Sequence, residues 1–164
     1  MKLAIFSDSH DNIPNLKKAL IYCQNENIGV ILHCGDLCKI ESLIESWPKS
    51  SGIKMHLAVG NADILKKSDY ESFFPLKIHG PVGEFTFENK KIAFTHFPDK
   101  AKELAKQQKH DYIFYGHTHK PWEETVEKTK LVNPGEIGGM PYQSTFAVLD
   151  LEKNKLSLKI LGEI

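Results

Sequence analysis

The first third of the chain alternates short apolar runs with segments whose apolar residues recur at helical spacing. The apolar runs predict buried strands, because a parallel strand that is covered on both faces is apolar throughout. The helical segments predict crossovers between parallel strands. Asn12 and Pro14 are start signals for the first of them. The predicted strands are 2–7, 30–32 and 53–59, and the predicted helices are 14–25 and 40–47.

The pattern changes in the second half, where strands predominate. Residues 61–74 are polar and irregular and suggest helical fragments. The stretches 84–87 and 91–95 flank a polar turn at Asn89 and predict a β-hairpin. A further helix is predicted at 98–108. The remaining predicted strands are 112–115, 122–128, 130–133, 145–151 and 156–161. This mixed pattern predicts an α/β chain with two packed sheets and helices outside them.

Length and composition predict a single domain over residues 1–164. The chain has 21 basic and 21 acidic residues, which argues against charge-driven binding to nucleic acid or to an anionic membrane. No apolar stretch approaches the roughly 20 residues that span a bilayer, and the apolar start is too short for a signal-peptide core. Because of these two features, we expect no membrane partner. Three cysteines cannot all pair, so we expect a cytoplasmic protein.

Five of the apolar runs lead to residue types that bind divalent metals. The central run, 30–32, leads to Gly35 and Asp36, and a carboxylate has two oxygens with which to bridge two cations. Ligands in open α/β sheets gather at the carboxyl ends of strands. We therefore expect the candidate ligands to converge around Asp36. The others are Asp8, His10, Asn61, His96, His117 and His119.

The candidate donors are nitrogen and oxygen atoms without a thiolate. In Asp8-Ser9-His10, and likewise in 117–119, an extended loop would point alternate residues to the same side. The donor set suits Mn best, with Ni, Co, Fe, Zn or Mg as alternatives, and suits Ca less well. Seven protein ligands, one of them shared between the two ions, suit a pair of octahedral ions with water at the open positions. Two-metal sites stabilise the attacking and leaving oxygens of an in-line displacement. The remaining histidines are assigned structural or solvent roles, and His33, the nearest to the site, is the first exception to consider.

The order of these motifs resembles that of the calcineurin-like metallophosphoesterases. Their order is Asp-x-His, Gly-Asp, Gly-Asn, a single His after a strand, and Gly-His-x-His, found here at 8–10, 35–36, 60–61, 96 and 116–119. The short length and the later Asn133-Pro134-Gly135 are similar to the small bacterial and archaeal phosphodiesterases of that family. The resemblance implies a two-sheet β-sandwich flanked by helices, in four layers ordered αββα.

The resemblance also implies an activity and a division of the ligands. It implies a metal-dependent phosphoesterase in which a metal-bound hydroxide attacks a small-molecule phosphodiester, with Asp36 and Asn61 catalytic, and it is consistent with a homodimer. One ion would be held by Asp8, His10, Asp36 and His119, and the other by Asp36, Asn61, His96 and His117. Nearby polar candidates for substrate contact or ligand support are Asp11, Asn12 and Asp63.

Two departures from the family pattern leave alternatives open. Ala62 stands where many members have a histidine that protonates the leaving group, and Phe97 replaces a second histidine after His96. The alternative function is a non-catalytic metal-binding or protein-interaction scaffold of the same fold, including a sensor of Mn or Fe. The complete ligand set favours the enzyme. Cyclic nucleotides, phospholipid head-group diesters and nucleic-acid ends all stay open as substrates.

Overall fold

The computed structural model describes residues 1–49, 51–65, 73, 75–87 and 89–164. Within these residues the helices are α1 (Ile13–Asn25), α2 (Ile40–Ser46) and α3 (Pro98–Lys106), with a short 3-10 helix at Leu161–Glu163. The strands are β1 (Lys2–Phe6), β2 (Val30–His33), β3 (Lys54–Leu57), β4 (Leu76–Ile78), β5 (Val82–Phe87), β6 (Lys90–Thr95), β7 (Tyr112–Phe114), β8 (Trp122–Val126), β9 (Thr129–Asn133), β10 (Thr145–Asp150) and β11 (Lys155–Ile160).

These strands form two mixed sheets. The first has the order β11-β10-β1-β2-β3-β4, and its strands β1 to β4 run parallel to one another. The second has the order β5-β6-β7-β9-β8, with β6, β7 and β9 parallel and an antiparallel strand at each edge. The predicted hairpin is β5 with β6.

Three apolar layers hold the sheets and helices together. The strand β1 contributes residues to two of these layers, because successive side chains of a strand point to opposite faces of the sheet. Leu3 and Ile5 pack between the two sheets, whereas Ala4 and Phe6 pack beneath helices α1 and α2. The third layer lies between the second sheet and α3 and includes Leu104. The architecture is therefore αββα, as predicted.

The predicted elements agree with the observed ones except in one region. The strand β4 was not predicted, since three residues are too few to show a period. The helical fragments suggested within 61–74 fall largely on residues 66–72 and 74, which lie outside the described residues. Among the helices that the structure describes, none has the length and apolar character needed to cross a membrane.

The parallel strands deliver their carboxyl ends to one edge of the sandwich. The loops after β1 and β2 are joined there by hydrogen bonds from Asp8 N to Gly35 O (3.0 Å) and from His10 N to Asp36 O (3.0 Å). The loops after β6 and β7 are joined by a bond from the backbone N of residue 116 to the backbone O of residue 96, at 3.1 Å. This edge is where the candidate ligands lie.

A histidine pair lies where the two sheets meet. His56 Nδ1 of β3 is 3.0 Å from His79 Nε2, just beyond β4, and the His56 ring centre is 4.3 Å from that of Phe85. Burial lowers the pKa of His56 to about 4, and the neighbouring His79, Lys77 and Lys54 act in the same direction. The folded chain therefore favours neutral His56.

We predict that protonation of His56 destabilises the fold as the pH falls from about 6.5 to 4, since the unfolded chain takes up this proton first. Above pH 6.5 both states are neutral at this ring, and the effect is absent. His56→Gln removes the titration and keeps a hydrogen-bonding partner for His79. Between pH 7.5 and pH 4.5, the free energy of unfolding of His56→Gln should fall by about 1 kcal/mol less than that of the wild type. This value is discounted for solvent screening, because the ring is half-exposed. Urea unfolding at pH 7.5 and 4.5 measures this, and an equal loss in both proteins would contradict it.

Candidate metal centre

Four of the seven predicted ligands form a first donor set after β1, β2 and β7. His10 Nε2 lies 3.3 Å from His119 Nε2, 3.8 Å from Asp8 Oδ1 and 3.9 Å from Asp36 Oδ2. His119 Nε2 is also 3.4 Å from Asp8 Oδ1. Two imidazole nitrogens and two carboxylate oxygens from distant parts of the chain thus face a common point.

A second donor set adjoins the first. His96 Nε2 lies 3.1 Å from both Asn61 Oδ1 and His117 Nδ1, and the latter two atoms are 3.0 Å apart. His96 Nε2 is 3.4 Å from Asp36 Oδ2. The second set therefore offers two imidazoles and a neutral amide oxygen beside the same carboxylate.

One carboxylate oxygen belongs to both sets. Asp36 Oδ2 approaches a histidine of each set, at 3.9 Å from His10 Nε2 and 3.4 Å from His96 Nε2. The other oxygen, Oδ1, accepts a hydrogen bond from Ala62 N at 2.8 Å, which fixes the orientation of the carboxylate. Donor atoms of Asp8, Asp36 and His96 also lie within 4.8 Å of one another. The two sets are therefore continuous through Asp36.

The loops that carry the donors have an unusual backbone. Five of the seven predicted ligands have positive φ, in the left-handed region: Asp8 (51°), His10 (44°), Asp36 (57°), His117 (70°) and His119 (62°). Each such residue costs about 1 kcal/mol or more, and this strain is typical of functional sites. Asp8 and His10 contribute to the same donor set, whereas His117 and His119 contribute to adjoining ones. The prediction of extended loops at 8–10 and 117–119 was wrong, because tight left-handed turns place these residues instead.

Two glycines let the loops approach closely. Gly35 has φ +98°, and a Cβ there would lie 2.7 Å from His96 Nδ1. A Cβ at Gly60 would collide with the carboxylate of Asp36. Any side chain at these positions would push apart the loops that carry the two donor sets.

The buried carboxylate of Asp8 provides a test of whether a cation fits. Its Oδ2 accepts hydrogen bonds from Ser7 Oγ (2.5 Å) and His117 N (3.1 Å), whereas its buried Oδ1 has no hydrogen-bond partner. Burial raises the pKa of Asp8 to about 7, although the Ser7 hydroxyl and His119 oppose this. A buried oxygen without a partner is costly. A cation among the donors would offset that cost, so the residues fit a metal.

The imidazoles are oriented by partners behind them. His96 Nδ1 donates to the carbonyl of Cys34 at 2.9 Å, which leaves the lone pair on Nε2 towards the donor set. Burial lowers the pKa of His96, which favours the neutral ring that binds metals. His119 Nδ1 lies 2.9 Å from Glu136 Oε2 and 3.0 Å from the Met140 carbonyl. Its Nε2 therefore also faces the donors.

Glu136 is a site residue that the sequence did not indicate. It is fully buried, and its Oε1 accepts a hydrogen bond from Tyr142 N at 2.8 Å while its Oε2 holds His119. Desolvation lowers the pKa of His119, but the Met140 carbonyl and the carboxylates of Asp8 and Glu136 outweigh it, so the pKa is raised. The only sequence signal was its position directly after Asn-Pro-Gly at 133–135.

Asp11 and Asn12, predicted to contact substrate or support the ligands, hold backbone and side-chain groups near the site. Asp11 Oδ1 accepts from Lys39 N (3.0 Å) and Ser42 Oγ (2.6 Å), at the beginning of α2. Asn12 caps α1 through Asn15 N at 3.2 Å. These contacts support the loops, and contact of either residue with a substrate stays a prediction.

Asp63 joins two of the ligand loops. Its Oδ2 accepts from Asp36 N (3.1 Å) and Gly60 N (2.7 Å), and its Oδ1 accepts from Cys38 N (2.8 Å). The buried His33 also supports the loops. Its Nδ1 accepts from Gly35 N at 3.2 Å, and its Nε2 is 3.1 Å from the hydroxyl of residue 9. Burial lowers the pKa of His33 to about 4, so this ring is neutral and structural.

Comparison with known proteins shows the family of this chain. The model of the calcineurin-like phosphoesterase superfamily domain matches residues 1–154, so the chain belongs to that family. It is a metallophosphoesterase, a hydrolase that acts on phosphate esters.

Individual relatives extend over nearly the whole chain. The chain is 29% identical to phosphodiesterase MJ0936 of Methanocaldococcus jannaschii, over 94% of this chain and 96% of that one. A solved structure of an archaeal phosphodiesterase covers 98% of this chain and 99% of its own, with a TM-score of 0.85 and 28% identity. Vps29 of Chaetomium thermophilum covers 97% and 95%, with a TM-score of 0.69 and 16% identity, and shares the fold.

We predict that Asp63→Ala lowers the free energy of unfolding by about 2 kcal/mol, because three backbone N–H groups lose a charged acceptor. The same change should weaken metal binding, since Asp63 holds the loops that carry both donor sets. Glu45→Ala, at an exposed position of α2, is the matched control and should change stability by less than about 0.5 kcal/mol. Urea unfolding and metal titration measure the two effects. Wild-type stability in Asp63→Ala would show that these hydrogen bonds contribute little.

Proposed function

We propose that this chain hydrolyses phosphodiesters at a centre that holds two divalent metal ions. The observation that carries the proposal is the position of Asp36 Oδ2, which lies 3.9 Å from His10 Nε2 and 3.4 Å from His96 Nε2. A single oxygen at the junction of two donor sets is the arrangement that a bridging ligand needs. The first ion is assigned to Asp8, His10, Asp36 and His119. The second ion is assigned to Asp36, Asn61, His96 and His117.

The donor chemistry favours Mn, with Ni, Co, Fe, Zn or Mg as alternatives, because all the donors are nitrogen or oxygen. When bound, the two cations would supply Lewis acidity that generates a hydroxide nucleophile and neutralises charge on the phosphoryl oxygens. The protein contributes two carboxylates to the donor sets, those of Asp8 and Asp36, so two divalent ions leave a net positive charge. An anionic ester is attracted to this edge for that reason.

A diester carries one negative charge and a monoester carries up to two. The sequence has no arginine, so a bidentate guanidinium clamp for a phosphate dianion is absent. Among the described residues, the hydrogen-bond and ion-pair partners of the seven donors include no lysine. The names of the relatives, an archaeal phosphodiesterase and phosphodiesterase MJ0936, support the same preference. The completeness of the donor set favours the enzyme over a non-catalytic scaffold.

We predict that Asp36→Ala binds fewer than two metal ions per chain and stays folded. Its kcat/KM for bis(4-nitrophenyl) phosphate with Mn should fall by more than about 100-fold. Loss of a residue that only hydrogen-bonds to a metal ligand costs about 10–100-fold, and loss of a donor shared by both ions should cost more. Elemental mass spectrometry counts the ions, and Glu45→Ala is again the control.

Two results would contradict the proposal. One is Asp36→Ala that retains two tightly bound ions. The other is wild-type enzyme that keeps full activity after chelation, with its metal content confirmed as zero. Activity that disappears on chelation and returns with Mn is the expected result.

The position after Asn61 determines how the leaving group departs. Ala62 offers a methyl group there, and its backbone N–H is used by Asp36 Oδ1. The neighbouring His33 is buried and has both ring nitrogens in contact with protein groups, so it is not a proton donor to substrate. The leaving oxygen therefore departs without a side-chain acid from these two positions.

We predict a steep dependence of rate on leaving-group pKa, with aryl diesters much faster than alkyl ones. General acid catalysis contributes about 10²–10⁴-fold, so Ala62→His should accelerate alkyl diesters most and flatten the dependence. A series of substituted phenyl and alkyl diesters measures this in both proteins. A flat dependence in the wild type, with the chemical step shown to limit the rate, would mean that another residue is the acid.

A further inference from the structure

We propose that a pocket beside the first donor set binds an apolar ester substituent of the substrate. This inference rests on the proposed function and names the substrate class more narrowly. The pocket, called here the ester pocket, has a volume of about 350 Å³. It is lined by His10, Asn12, His119, Glu136, Gly138 and Met140. Because two of these residues are predicted ligands, a group in the ester pocket lies next to the reacting phosphate.

The polar side chains of the ester pocket have partners within the protein. Asn12 accepts from Asn15 N through Oδ1 and donates to the Gly138 carbonyl through Nδ2, at 3.2 and 2.8 Å. Glu136 is fully buried, and its two oxygens are used by His119 Nδ1 and Tyr142 N. Each polar side-chain atom of these two residues therefore already has a partner within the protein.

The two histidines are engaged in the same way. His119 Nδ1 is held by the Glu136 carboxylate and the Met140 carbonyl, and His10 Nδ1 lies 3.6 Å from the thiol of Cys38. Their Nε2 atoms face the donor set. The surface that remains for a ligand consists of ring carbons, the Gly138 methylene and the Met140 side chain.

Met140 forms the apolar wall of the ester pocket. Its backbone carbonyl is 3.0 Å from His119 Nδ1, so its position is coupled to a predicted ligand, yet the residue is 77% exposed. An exposed methionine at this place has no role in the core. Methionine adapts to ligands of different shape, which suits a wall that contacts an apolar group.

This surface selects between ester substituents. A sugar or glycerol group would lose hydrogen bonds to water without new partners, because the pocket's polar atoms are already paired. A second phosphate would find no cationic side chain there, since no lysine is among the described residues that line the pocket. An alkyl or aryl group loses nothing and buries apolar surface. The structure therefore favours a singly charged diester with an apolar substituent over a nucleotide.

The test compares two unreactive phosphonates that carry the same single charge. These are methyl phenylphosphonate and methyl (2,3-dihydroxypropyl)phosphonate. Their P–C bonds resist hydrolysis, and the one ester bond that each retains would expel methoxide, a poor leaving group, so neither is consumed during the assay. Each competes with bis(4-nitrophenyl) phosphate on Mn-loaded enzyme, and calorimetry measures binding independently of turnover. We expect the phenyl compound to bind at least about tenfold more tightly, as burial of a few apolar carbons gives.

Three variants locate the preference. Met140→Asp should reduce the ratio of the two affinities to less than about twofold, whereas Met140→Leu should retain it. The ratio is informative because an added charge repels both singly charged phosphonates alike. Leu158→Asp, at an exposed leucine on β11, is the control and should retain the ratio.

The outcomes separate the two proposals. Hydrolysis of bis(4-nitrophenyl) phosphate with equal affinity for both phosphonates would overturn the ester pocket and leave the proposed function intact. An unchanged ratio in Met140→Asp would overturn it as well. Failure to hydrolyse any diester, with two Mn ions bound, would overturn the proposed function and the ester pocket with it.

Discussion

Asp36 is the residue on which the arrangement of the candidate site depends. Its backbone carbonyl accepts from His10 N, its backbone N–H donates to Asp63, and its Oδ1 accepts from Ala62 N. Through these three bonds the loops after β1, β2 and β3 take one fixed arrangement. Only Oδ2 is left to face the donor sets, so the same contacts that build the loops also aim the shared oxygen.

That arrangement is maintained against two opposing costs. Asp8, Asp36 and Glu136 are almost completely buried, and buried carboxylates are costly unless they are paired. Several donors also have left-handed backbone conformations. The apolar layers on both faces of the first sheet and beneath the second offset the strain, because they fix the strands from which the loops extend. Backbone strain of this kind clusters at functional sites.

The sequence predicted the parts of the site that follow from strand ends. Apolar runs gave the buried strands, and parallel strands bring their carboxyl ends together, so the candidates at 8, 36, 61 and 96 could be placed at one edge. It could not give Glu136, which precedes no helix and completes no recognisable spacing. It also could not give the turn conformation at Asp8, since a left-handed backbone is determined by tertiary contacts. Manganese, a cytoplasmic location, a single domain over 1–164 and a homodimer stay predictions.

The two donor sets differ in the charge that supports them. In the first set, His119 is backed by the carboxylate of Glu136, and Asp8 contributes a second negative charge directly. In the second set, His96 is backed by the neutral Cys34 carbonyl, and Asn61 contributes a neutral amide. A carboxylate behind an imidazole raises its basicity more than a carbonyl does. The first set therefore presents the stronger negative potential, and under the proposed function an ion in the second set would keep more uncompensated positive charge. A phosphate anion would then be attracted most to that side. This would leave the proposed ester pocket, beside the first set, to the substituent that carries no charge.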